Sequence, residues 1–92
     1  MPKVLIVDDE PANLQKLKRT FVDFFEVYQA DSAREALDLV RQQAFAVVIT
    51  DQRMPGITGV ELLRDMLQLS PNTVRIILTG YTDVEALIDA IN

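Results

Sequence analysis

Residues Ala46 to Gly59 read AVVITDQRMPGITG. With Phe45 in front, the run Phe45 to Ile49 is unbroken by polar residues and rich in β-branched side chains. That is the pattern of a strand buried on both faces, as in parallel sheets, and it predicts a strand from Phe45 to Thr50. Asp51 follows at its carboxyl end. Pro55 and Gly56 turn the chain away, and a helical pattern starts near Thr58. A carboxylate therefore stands at the carboxyl end of a central strand, where open α/β sheets bind their ligands. Taken alone, an Asp in that place more often caps the next helix or meets water.

A second stretch changes the weight. Lys3 to Val7 (KVLIV) is another apolar strand, and it runs into Asp8, Asp9 and Glu10. If the two strands lie side by side and parallel, Asp8, Asp9 and Asp51 converge on one edge. Like charges so close are costly unless one takes up a proton or a cation sits among them. A hard divalent ion with oxygen ligands, Mg²⁺ above all and Mn²⁺ as an alternative, suits such a set. The expectation is an acidic metal pocket with one carboxylate placed for chemistry.

The rest of the composition narrows the class. The chain has 92 residues, of which 49% are hydrophobic and 25% charged, which suits one small globular domain. Its net charge of −5 argues against direct nucleic-acid binding. It holds no Cys and no His, so thiol nucleophiles, disulfides and imidazole chemistry are excluded. No apolar run is long enough for a membrane span and the N-terminus lacks a signal-peptide pattern, which makes the cytoplasm the default location.

Outward from the two strands, helices and strands alternate. Pro11 suits the first turn of a helix predicted to run to about Phe24, with Leu14, Leu17, Phe21 and Phe24 as its apolar face. Lys16, Lys18 and Arg19 fall mostly on the other, solvated face. Glu26 to Ala30 (EVYQA) reads as a shorter edge strand. Ser32 and Glu35 form an S-x-x-E capping pattern before a helix to about Gln43, striped by Ala33, Ala36, Leu37 and Val40. Thr58 can cap a third helix to about Leu69, with Val60, Leu63, Met66 and Leu67 as its apolar face. Val74 to Leu78 (VRIIL) is the fourth strand, ending in Thr79 and Gly80. Thr82 and Glu85 make another capping pair, before Val84, Leu87, Ile88 and Ile91. Strand and helix repeated in this way imply an α/β fold, a doubly wound parallel sheet with helices on both faces.

Three strand ends thus offer groups to one pocket: Asp8 with Asp9, Asp51, and Thr79. An Asp can attack phosphorus and form an acyl phosphate. The incoming phosphoryl oxygens need a cation, backbone N–H groups or a hydroxyl. The acids would hold the cation, Thr79 can donate a hydrogen bond, and Gly80 lets backbone come close.

VLIVDDE (Val4 to Glu10), ITDQRMPGITGVELL (Ile49 to Leu63) and RIILTGYTD (Arg75 to Asp83), in this order, resemble the receiver domain of two-component response regulators, from residue 3 onward. The resemblance implies a flavodoxin-like sheet of order 2-1-3-4-5 and a phosphorelay function. A sensor histidine kinase or phosphotransfer protein would pass a phosphoryl group to Asp51 and so switch an output. Asp9 and Asp51 would bind Mg²⁺ directly, Asp8 mainly through metal-bound water, and the backbone carbonyl of Arg53 would be a further ligand. Thr79 would be the switch hydroxyl. Arg53 and Tyr81 match the positions that tune phosphoryl lifetime. The domain would be no enzyme beyond catalysing its own phosphorylation and dephosphorylation.

One departure accompanies the resemblance. The family carries a Lys and a switch aromatic on a fifth strand, followed by a fifth helix. Here the lysines are Lys3, Lys16 and Lys18. The expectation is a receiver over residues 1–92 in strand order 2-1-3-4, lacking the fifth βα unit and slower to accept a phosphoryl group. Such a chain would expose the edge of its fourth strand and the face of its first helix, and self-associate through either. Two other functions fit parts of the pattern. A receiver-like binding module would work through its surface without phosphate. A haloacid-dehalogenase-like phosphatase would use Asp8 as nucleophile, with Glu10 two positions on.

Overall fold

Four parallel strands form one sheet, and a helix carries the chain from each strand to the next. The computed structural model of the chain describes residues 1–78, so Thr79, Gly80, Tyr81 and the expected fourth helix lie outside the described residues. The elements are β1 (Lys3–Val7), α1 (Pro11–Phe21), β2 (Glu26–Ala30), α2 (Ala33–Gln42), β3 (Val47–Asp51), α3 (Gly59–Leu69) and β4 (Val74–Leu78). The spatial order is β2-β1-β3-β4, with every pairing parallel. The alternating pattern predicted the parallel sheet, and the family resemblance implied this order.

Chirality explains the layers. The chain steps from β1 one way to β2, then back past β1 to β3 and on to β4. Right-handed crossovers therefore put α1 on one face and α2 and α3 on the other. The central strands feed both cores at period two. Leu5, Val7 and Val48 pack with Ala33, Ala36, Leu37, Val40, Leu62 and Met66 under α2 and α3. Val4, Ile6 and Ile49 pack with Leu14, Leu17 and Phe21 under α1. The point where the winding changes direction lies between β1 and β3, and a crevice opens there at the carboxyl ends.

Several local expectations are corrected. The first helix stops at Phe21 and not near Phe24, because the N–H of Phe24 turns to the Phe21 carbonyl at 3.0 Å, one residue short of helical spacing. Phe24 is then 62% exposed, and Phe25 instead packs edge-on against Phe21 at 5.7 Å between ring centres. Phe21 is buried. The third strand starts two residues later than Phe45 and includes Asp51. The third helix buries Gly59, Leu62 and Met66, with Leu63 partly covered, while Val60 and Leu67 face water. Its rotation follows from the packing of Gly59 against the end of β3, so the buried face runs from 59 through 62 to 66. The expected buried stripe of α2 is found at all four positions.

Two of the three helix caps read from the sequence are present, and the third, Thr82 with Glu85, lies outside the described residues. Ser32 accepts a hydrogen bond from the Glu35 N–H, and Thr58 makes the full reciprocal box with Glu61. On the α1 face an open apolar hollow of ≈ 420 Å³ runs beside Phe21, Phe24, Phe25 and Ile76. Among the described residues β4 pairs with β3 alone.

Candidate functional site

The register of the two central strands sets the geometry. Val7 lies opposite Thr50, so the next residues, Asp8 and Asp51, leave β1 and β3 side by side. Asp9 follows Asp8 toward solvent. Ligand oxygens of Asp8, Asp9 and Asp51 all lie within 4.8 Å of one another. The convergence expected from two parallel strand ends is what the fold produces.

The three carboxylates are not equivalent. Asp8 is 1% exposed, Asp51 is partly exposed and Asp9 is at the surface. Asp8 is tied down on each oxygen. Its Oδ1 accepts the Glu10 N–H at 2.9 Å, and its Oδ2 accepts the Asn13 Nδ2 at 3.1 Å. Its own N–H donates to the Ala30 carbonyl of β2. Burial pushes the Asp8 carboxyl above its ordinary value. The two hydrogen bonds oppose that shift, and the charges of Asp51 and Asp9 add to it. A raised carboxyl inside a cluster of acids marks a place where positive charge is wanted. An all-oxygen donor set of this kind fits a hard divalent cation such as Mg²⁺.

The loop after β3 is held just as firmly. The Gln52 N–H donates to the Leu78 carbonyl at 2.9 Å, which continues the β3–β4 ladder past Asp51. The Gln52 carbonyl accepts the Gly59 N–H at 3.2 Å, and its side-chain Oε1 accepts the Val60 N–H at 2.9 Å. Two orphan donors of the α3 N-terminus are thereby satisfied from the residue next to Asp51. Gly59 is needed there, since a Cβ would sit 2.5 Å from the Asp51 carbonyl oxygen. Gly56 takes φ of +82°, which suits the turn that brings the chain back. Met54, between Asp51 and the Gly56 turn, is buried in the α2–α3 core and pins this part of the loop.

Arg53 lies in this loop, two residues beyond Asp51, with its side chain exposed. Thr79 follows Leu78, which pairs with Asp51, but lies itself outside the described residues. Lys3 opens β1 at the far end of the sheet, where its Nζ donates to Gln43 at 2.8 Å. Lys16 and Lys18 sit in the second half of α1, which runs away from the carboxyl ends. Sequence reasoning passed over Asn13, Gln52 and Gly59. An amide in the first helical turn after an acid pair, and a polar residue next to the strand-end Asp, were the signals available.

Asp8 is poorly placed as a nucleophile, because it is buried and each of its oxygens already accepts a hydrogen bond. The comparisons with known proteins bear on the same question. The family model "Response regulator receiver domain" matches residues 4–92. The chain belongs to the response regulator receiver family. It is 45% identical over 89 residues to the hydrogenase transcriptional regulatory protein HoxA of Cupriavidus necator, covering 97% of this chain and 18% of that protein. It therefore spans about a fifth of the length of that curated relative. A receiver domain from Clostridium thermocellum superposes with a TM-score of 0.82 at 36% identity, over 99% of this chain and 75% of the other. The chemotaxis protein CheY4 of Vibrio cholerae gives 0.79 at 30%, over 100% and 81%. As a receiver domain the chain is a signalling module and not a conventional enzyme. The phosphatase reading has no support in these likenesses. Among the described residues no helix is long and apolar enough to cross a membrane.

Proposed function

We propose that this receiver accepts a phosphoryl group on Asp51, with the acidic pocket holding Mg²⁺ or Mn²⁺. The observation that carries this reading is the convergence of the three carboxylates, with Asp51 the partly exposed one on the central strand. A carboxylate oxygen of Asp51 attacks phosphorus, the bond from phosphorus to the donor's leaving atom breaks, and an acyl phosphate remains. Asp9 and Asp51 would hold the cation directly, Asp8 through a bound water, and the Arg53 carbonyl would complete the protein's share. The cation, when bound, neutralises charge building on the phosphoryl oxygens. Gln52 and Gly59 keep the backbone of Asp51 still during the attack. Thr79 would receive a phosphoryl oxygen as the switch hydroxyl. The physiological donor would be a sensor histidine kinase or a phosphotransfer protein, and the output that of a longer regulator. Catalysis would be confined to the domain's own phosphorylation and dephosphorylation.

A small phosphodonor tests this. With acetyl phosphate and Mg²⁺, intact mass should rise by one phosphoryl group, mapping to Asp51 and vanishing in Asp51→Asn. An adduct on Asp8 or Asp9 would reverse the assigned roles. Steady turnover of phosphate esters would indicate the phosphatase, and neither adduct nor turnover would indicate a binding module that works through its surface.

A further inference from the structure

We propose that Asn13 is a positioning residue for the acidic pocket: it locks the Asp8 carboxylate in one orientation and so sets the preference of the site for Mg²⁺ over Ca²⁺. This rests on the metal reading given above. Asn13 stands in the first turn of α1 and is 9% exposed. Its amide is directed at Asp8 Oδ2, at 3.1 Å. The Glu10 N–H holds the other oxygen at 2.9 Å. One donor alone would leave the carboxylate free to swing about that bond. Two donors, one on each oxygen, both from the turn that opens α1, define its plane. Each oxygen keeps a further lone-pair direction for a cation or for water bound to one.

The two cations respond differently to such locking. Mg²⁺ demands a near-ideal octahedron, whereas Ca²⁺ accepts more ligands in looser geometry. Freeing Asp8 to rotate therefore weakens Mg²⁺ more than Ca²⁺. Hydrogen-bond partners of metal-binding groups commonly change affinity by about 10- to 100-fold when removed. A buried Asn with a merely structural role would move both affinities together.

The test is calorimetric titration of the full 92-residue chain, as wild type and Asn13→Leu, with MgCl₂ and separately with CaCl₂. The variant keeps the branched shape of the side chain and loses the donor. Mg²⁺ affinity should fall about 10-fold or more while Ca²⁺ affinity falls less, so that the ratio of the two shifts. Leu62→Ala, in the core under α3, controls for lost stability and should leave the ratio alone. Wild-type Mg²⁺ binding with an unchanged ratio in Asn13→Leu overturns the role of Asn13 and leaves the metal reading standing. A wild type that does not bind Mg²⁺ overturns the metal reading and this inference with it. Should Asn13→Leu fail to fold, Asn13→Ser draws the donor back from Asp8 and must show the same shift in ratio.

Discussion

Replacing Asp51 by Asn should make the metal-free protein more stable. The change removes a charge and keeps the shape. With ligand oxygens within 4.8 Å of one another, a pair of like charges at that separation costs about 1 kcal/mol in water and about 3 kcal/mol at an effective dielectric near 20. Asp9 is exposed and Asp51 partly so, which places their repulsion toward the lower figure, and salt reduces it further. Relief of the contacts to Asp8 and Asp9 together is then about 1–2 kcal/mol near pH 7. A domain of this size gains about 4–8 °C in Tm for each kcal/mol. Added Mg²⁺ should reverse the ranking. At a hundred times its Kd it stabilises the wild type by about 2.7 kcal/mol, and the variant, short of one ligand, by less. Acid works in the same direction as Mg²⁺. The Asp8 carboxyl is held above its ordinary value near 3.8, so between that value and the raised one the folded protein binds more protons than the unfolded chain. Stability of the metal-free wild type therefore rises as pH falls through the raised pKa, and declines as pH climbs through it. The variant retains most of this dependence, because burial is its largest cause. Thermal unfolding with and without Mg²⁺, across pH, reads all three effects. A lower metal-free Tm for Asp51→Asn, or an equal Mg²⁺ shift in both proteins, would refute the account of the pocket as mutually repelling acids that await a cation.

Two other outcomes follow from the packing around the site and along the sheet. Gly59→Ala drives a Cβ to within 2.5 Å of the Asp51 carbonyl oxygen, so backbone must move; unfolding should show a loss of about 1–3 kcal/mol, and the yield of Asp51 adduct from acetyl phosphate should fall with it. Phe24, 62% exposed beside an apolar hollow, and the β4 edge offer surfaces for pairing, so sedimentation should show concentration-dependent association that Phe24→Asp weakens, and a wild type that stays monomeric at high concentration removes the idea.

The strands were legible because the signals are local and strong, while their order came with the family resemblance. KVLIV and AVVIT can be buried on both faces and little else, and alternating helices then force a parallel sheet. The expected range of β1, β2 and β4 agrees with the structure, and the cap at Thr58 follows from side-chain chemistry three residues apart. The acid cluster was legible for a related reason. Once β1 and β3 are neighbours, residues at their carboxyl ends have nowhere else to go.

Helix faces and the support of the site were a different matter. Phe24 and Phe25 have the same side chain, and only the tightened turn at Phe21 decides which of them packs against the core. Val60 and Leu67 look as apolar as Leu62, and the close contact of Gly59 with the Asp51 carbonyl sets the rotation that exposes them. Asn13 reads as one more polar residue on a helix until α1 is laid across the end of β1, which brings its amide to Asp8. Composition and spacing along the chain thus determined the strands, their parallel sheet and the residues able to form an acidic pocket, and the family motifs implied its winding. Tertiary packing alone decided which carboxylate is buried, which amides hold it, and which helix faces meet water, because those depend on distances between residues that the chain order leaves apart.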